Sequence, residues 1–207
     1  MLPFRTPFLA PYAFPNLLWR VNTLEKHIYL TFDDGPIPGL TEWVLEQLKT
    51  HEANATFFCV GENIARHSSI FRQIISEGHT VGNHTQHHLN GKNTPKGAYL
   101  ADVQACDATM QQLQVSSKWF RPPYGRLTRA QRKPLLKEKK VVMWDVLTQD
   151  YDQSLSAETI LTKSIQATRK GSVVVFHDNL KAEKNLKKVL PKYIDYFKQA
   201  GYQFKAL

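Results

Sequence analysis

Short runs of apolar, β-branched and aromatic residues alternate with segments of helical periodicity along nearly the whole chain, and this alternation restricts the fold more than any other feature. The runs at 28–32, 55–60, 80–83, 119–121, 141–146, 172–176 and 202–206 read as buried strands. The segments at 41–50, 64–77, 99–115, 127–139, 157–169 and 184–200 read as helices, with Val44, Leu45 and Leu48 on the apolar face of the first. Strand and helix units of this length demand a parallel sheet, because a crossover helix must cover each connection. Seven strands then either close into a barrel or form an open doubly wound sheet, and periodicity alone leaves both open. In both, chemistry gathers at the carboxyl ends of the strands.

The chain has 207 residues, enough for one full core. The expected domain covers 27–207, with 1–26 an apolar N-terminal extension packed on it. Pro3, Pro7, Pro11 and Pro15 interrupt that extension at every fourth residue, so neither an export-signal core nor a membrane helix is expected there. With no export signal visible, the sequence by itself suggests a cytoplasmic protein. Cys59 and Cys106 are too few for a disulfide framework, and Cys59 sits in an apolar run where a buried thiol is expected. The net charge of +9 suits a polyanionic partner, and residues 126–140 carry seven basic side chains against one acid. No aromatic residues interleave with that run, so it reads as a solvated helix face and a nucleic-acid partner is not expected. A monomer is assumed.

Reactive residues end most of the strands: Asp33 and Asp34 after the first, His84 and His88 after the third, Arg121 and Tyr124 after the fourth, Asp145 and Asp150 after the fifth, His177 and Asp178 after the sixth. Unrelated structural roles would scatter such residues over both ends of a sheet. Two adjacent carboxylates disfavour joint ionisation unless a cation intervenes, and one that ligates a metal leaves its neighbour available as a base. His84 and His88, four apart, are expected on one face of a helical turn, a spacing that suits a zinc-type ion. With an aspartate they supply three ligands and leave positions open for water and substrate. His87 should point away, and His51, His67 and His79 read as surface residues. Pro122 and Pro123 stiffen the backbone that carries Arg121 and the Tyr124 amide, as an oxyanion site requires. His177 reads as a proton donor, with a core histidine satisfied by Asp178 as the competing account.

Thr-Phe-Asp-Asp-Gly at 31–35, His-Thr-x-x-His at 84–88, Arg-Pro-Pro-Tyr at 121–124 and Val-Phe-His at 175–177 resemble, in order and spacing, the motifs of the polysaccharide deacetylases, the NodB-homology family of carbohydrate esterases. The resemblance runs from about residue 28 to the C-terminus. It implies a distorted (β/α)7-type barrel and a hydrolase acting on carbon–nitrogen bonds other than peptide bonds, which removes N-acetyl groups from a peptidoglycan- or chitin-like glycan. An O-acetyl esterase of the xylan type and an inactive carbohydrate-binding relative are the alternatives. Position by position it implies Asp33 as general base, Asp34, His84 and His88 as ligands of a divalent ion (zinc ahead of cobalt or nickel), and Arg121 orienting Asp33. The Tyr124 amide would hold the oxyanion, Asp150 would tune His177 as the acid, and Tyr151 with Val175 would line the acetyl pocket. Tyr151 stands where the family usually has tryptophan and Val175 where it usually has leucine; both changes keep an apolar wall and bear on which acyl group or sugar fits. The family's substrates point to the cell envelope rather than the cytoplasm.

Overall fold

The computed structural model describes residues 3–207; the first two residues of the expected N-terminal extension lie outside the described residues. Strand β1 (His27–Asp33) is followed by α2 (Leu40–Thr50), a short helix α1 (Ala10–Ala13) having preceded it. Then come β2 (Ala55–Cys59), α3 (Gly61–Arg66), α4 (Ser68–Ser76), β3 (Thr80–Asn83), α5 (Lys96–Gln112), β4 (Trp119–Phe120), α6 (Arg129–Glu138) and β5 (Lys140–Val141). The chain ends with β6 (Val146–Leu147), α7 (Ala157–Ala167), β7 (Val173–His177), α8 (Glu183–Gln199) and β8 (Gln203–Phe204).

The strands form one parallel sheet in the order β5-β4-β3-β2-β1-β7-β6, with β8 pairing the start of β1. It is a curled half-barrel of the distorted (β/α)7 type, one α/β domain. Residues of β1 alternate in their surroundings, as a strand between a helical layer and a barrel interior must. Ile28, Leu30 and Phe32 join the main core with Val44, Leu48, Leu186 and Leu190 of the covering helices. Tyr29, Thr31 and Asp33 face the interior, where Tyr29 packs near Phe58, Val142 and Val173. Register sets the rim: Asp33 lies beside Phe58 of β2 and His177 of β7.

Two elements differ from the sequence reading. The helix expected at 64–77 is two helices, broken at His67, whose φ of −130° and ψ of 48° are not helical. The strand expected at 141–146 is interrupted, its halves β5 and β6 pairing with opposite ends of the sheet path. Main-chain groups of the N-terminal segment pair there instead: the Leu18 amide donates to the Val141 carbonyl (2.9 Å), Met143 to Leu18 (2.7 Å) and Leu147 to Phe4 (2.9 Å). Cys59 and Cys106 are both free and buried. No helix among the described residues is long and apolar enough to cross a membrane.

Candidate active site

Asp33 closes β1 inside the barrel, where its Oδ1 accepts a 2.7 Å hydrogen bond from Arg121 Nη1. The Arg121 side chain is fully buried and spends its donors on Thr31 Oγ1 (2.6 Å) and the Met143 carbonyl (2.8 Å) as well, with its guanidinium 4.2 Å above the Phe58 ring. A guanidinium so fully committed is a fixed positive charge behind one face of the carboxylate.

At Asp34 the backbone turns to φ +85°, which throws the second carboxylate away from the first. Its Oδ1 lies 3.0 Å from His88 Nε2 and 3.4 Å from His84 Nε2, and it is buried without a hydrogen-bond partner. Its Oδ2 accepts from Asn179 Nδ2 at 2.5 Å. Burial pushes the Asp34 carboxyl up, but the imidazoles of His84 and His88 and the charge on His177 outweigh it and hold the group well below the usual carboxylate range. His84 Nδ1 donates to the Arg121 carbonyl (2.7 Å), which fixes the ring with Nε2 facing Asp34. One ligand atom from each of Asp34, His84 and His88 lies within 4.8 Å of the others. A buried carboxylate oxygen lacking a partner and two oriented imidazoles are the donor set of a divalent-cation site, and these residues fit such an ion.

The spacing of the two histidines does not arise from a helical turn. Residues 84–88 form a loop in which Thr85 (φ +65°) and His88 (φ +55°) are left-handed. Asp102 holds that loop from α5, accepting from the amides of Gln86 and His87 (3.0 Å each) and meeting His87 Nδ1 at 2.6 Å. His87 thus points away from the ligands. His79, expected at the surface, is buried, and its Nδ1 accepts from the Ala55 amide.

Across β1, the His177 Nδ1 and amide both bond to Asp150, at 2.7 and 2.8 Å. Burial opposes protonation of His177, but the Asp150 carboxylate and the fields of Asp34 and Asp33 raise its pKa to about 9. Asp178 does not partner His177: strand alternation turns it to the outer face, where it accepts from the Gly35 amide (3.1 Å) and Thr41 Oγ1 (2.5 Å). Its burial pushes its pKa up to about 8. Asp145 is also absent from the rim, lying just before β6 and bonded to Arg169 (2.9 Å) and Ser172 Oγ (2.7 Å).

Asp33, Asp34, His84, His88, Tyr124 and His177 line one cleft of about 530 Å³, with Tyr151 and Val175 in its wall. Arg121 and Asp150 are buried behind it. Tyr124, in a 3-10 turn with φ +59°, sets its ring edge-on to His88 at 4.7 Å, and Tyr151 does the same to His177 at 5.0 Å. Asn179, Lys181, Arg126 and Trp144, which the sequence reading did not single out, also line the cleft. The signal for Asn179 and Lys181 was their place just after a reactive strand end; the other two follow or face the Pro-Pro turn and carry no motif. A larger cavity of about 840 Å³ between Leu18, Tyr29, Trp119 and Leu207 is lined by lysines and by no Asp, Glu or His side chain among the described residues, so the clustered reactive side chains lie in the smaller cleft.

A curled parallel half-barrel that gathers three residues able to hold a cation beside an arginine-held acid has its reactive groups where (β/α) barrel enzymes carry their chemistry. Residues 20–141 match the family model described as polysaccharide deacetylase, and the chain belongs to that family. It is 30% identical over 188 residues to a peptidoglycan-N-acetylglucosamine deacetylase of Bacillus cereus, covering 90% of this chain and 88% of the relative. To a chitooligosaccharide deacetylase of Azorhizobium caulinodans it is 30% identical over 162 residues, 77% of each. A crystal structure of a peptidoglycan N-acetylglucosamine deacetylase bound to an N-hydroxybenzamide superposes with a TM-score of 0.89 at 30% identity, covering 95% of this chain and 94% of the other.

Proposed function

We propose that this chain is a divalent-metal-dependent deacetylase that hydrolyses N-acetyl groups of an amino-sugar glycan of the peptidoglycan or chitin type. The observation that carries this reading is the division of labour between two adjacent carboxylates: Asp33 is clamped by Arg121, whereas Asp34 faces two imidazoles. The deacetylase relatives support the substrate class.

Asp34, His84 and His88 would hold the cation, zinc ahead of cobalt or nickel. A bound divalent ion supplies a Lewis acid for the acetyl carbonyl and acidifies the attacking water, towards a pKa of about 7 for zinc. Asp33 takes the proton of that water through Oδ2, since Arg121 occupies Oδ1. The Tyr124 amide steadies the oxyanion, and the stiff Pro122-Pro123 backbone keeps that donor in place. His177, with Nδ1 bonded to Asp150, presents Nε2–H to the departing amine, and the Asp150 carboxylate favours its protonated form against the cost of burial. Tyr151 and Val175 wall the space for the acetyl methyl.

Acetate release from N-acetylglucosamine oligomers and from peptidoglycan, against acetylated xylan, with and without a chelator, tests the proposal. Chelator-sensitive release from the N-acetylated glycans is expected. Release from xylan alone, or binding to glycans without any hydrolysis, would overturn it.

A further inference from the structure

The acids in the cleft wall are both committed: Asp33 to Arg121, and Asp34 to the two imidazoles and Asn179. Two cations in the same wall are not. Lys181 and Arg126 are exposed, and neither forms an ion pair among the described residues. Asp152, whose field reaches Lys181, is turned to Ser154 at 2.6 Å.

Their placement relative to the site is defined. The Lys181 ammonium sits 5.6 Å from the centre of the Tyr151 ring, which in turn packs edge-on against His177. Arg126 follows by two residues Tyr124, whose ring packs against His88. His177 ends β7 and His88 follows β3, on opposite sides of β1 in the sheet. Lys181 and Arg126 therefore line the cleft from segments that leave the sheet on the two sides of β1.

We propose that Lys181 and Arg126 make this cleft selective for glycans carrying a carboxylate on the sugar adjacent to the N-acetylated one. This rests on the deacetylase reading above and names a finer substrate class for it. Exposed cations of this kind act on encounter and binding rather than on the bond-breaking step, so the preference falls in KM and weakens with salt.

The test compares an alternating N-acetylglucosamine/N-acetylmuramic acid oligosaccharide with the same oligosaccharide after amidation of its lactyl carboxylates; a second pair, N-acetylglucosamine alternating with glucuronate or its methyl ester, separates lactyl from uronic carboxylates. Two exposed ion pairs predict about a tenfold preference in kcat/KM for the free acid of at least one pair, falling to within about twofold in Lys181→Gln/Arg126→Gln. Equal handling of free and blocked acids by the wild-type protein, or a preference that survives in the double variant, would overturn the proposal. Binding isotherms on the metal-loaded protein keep the two readings apart. Equal Kd values for free and blocked acids refute the selection even without turnover, whereas failure to release acetate from any of the N-acetylated glycans, with binding still selective for the free acids, refutes only the deacetylase reading.

Discussion

Replacing Arg121 by methionine perturbs the centre of the barrel in a way whose size follows from its surroundings. The arginine side chain has no solvent exposure and its partner Asp33 has 6%. Methionine of similar reach would leave Asp33 as a buried charge without a counterion, and would strip the Met143 carbonyl of a donor. Removing one member of a buried pair costs about 3–5 kcal/mol. For a chain of this length that corresponds to a fall in Tm of roughly 6–20 °C. Urea unfolding followed by circular dichroism, on chelated protein so that metal loss does not contribute, measures it. Most of the loss arises from the stranded carboxylate, so adding Asp33→Asn to the Arg121→Met background should restore at least about 1 kcal/mol, a coupling expected only for groups in contact. Unfolding of Arg121→Met within about 1 kcal/mol of wild type, or no recovery in the double variant, would refute the reasoning.

Other expectations follow from the same geometry. Asn179→Ala frees Asp34 Oδ2 and should weaken zinc binding about 10–100-fold in competition titrations, while His88→Ala removes a ligand and should abolish stoichiometric binding. In the metal-free protein His177 titrates at about 9 rather than its ordinary 6.5, so its contribution to stability is complete below about 6.5 and is lost as pH rises through about 9. Asp150→Asn should lower that pKa in NMR titration and remove the stability loss from this window; an unchanged value would refute the assigned cause. Gly35→Ala would place a Cβ 2.0 Å from Asp178 Oδ2, and overpacking of this kind should cost about 1–3 kcal/mol in denaturant unfolding and displace the Asp33–Asp34 turn, read as weaker zinc binding.

The strands around the site were legible because β1, β2 and β7 are buried on both faces and read as continuous apolar runs. The residues of the cleft were legible where two or more reactive side chains clustered at a strand end, as at 33–34 and 84–88. The histidine spacing suggested a helical turn because four residues match its pitch, whereas the observed loop depends on left-handed Thr85 and His88 and on Asp102, distant in sequence. Likewise His67 breaks a segment whose apolar period continues smoothly from α3 into α4. The break at 142–145 was hidden because it is filled by hydrogen bonds from residues far upstream, which leave no mark on the local pattern. Asp178 and Asp145 show the same limit: which face a carboxylate takes next to a strand is decided by partners such as Thr41 and Arg169.

Acetate release from N-acetylglucosamine oligomers by wild type and Asp33→Asn, with bound metal quantified in both, bears most directly on the division of labour between the two carboxylates. One equivalent of divalent metal is expected in each, with turnover in Asp33→Asn reduced about 10²–10⁴-fold, the range for loss of a positioned general base. If Asp33→Asn lost its metal, or kept its turnover, Asp33 would not be the unligated acid beside the ion.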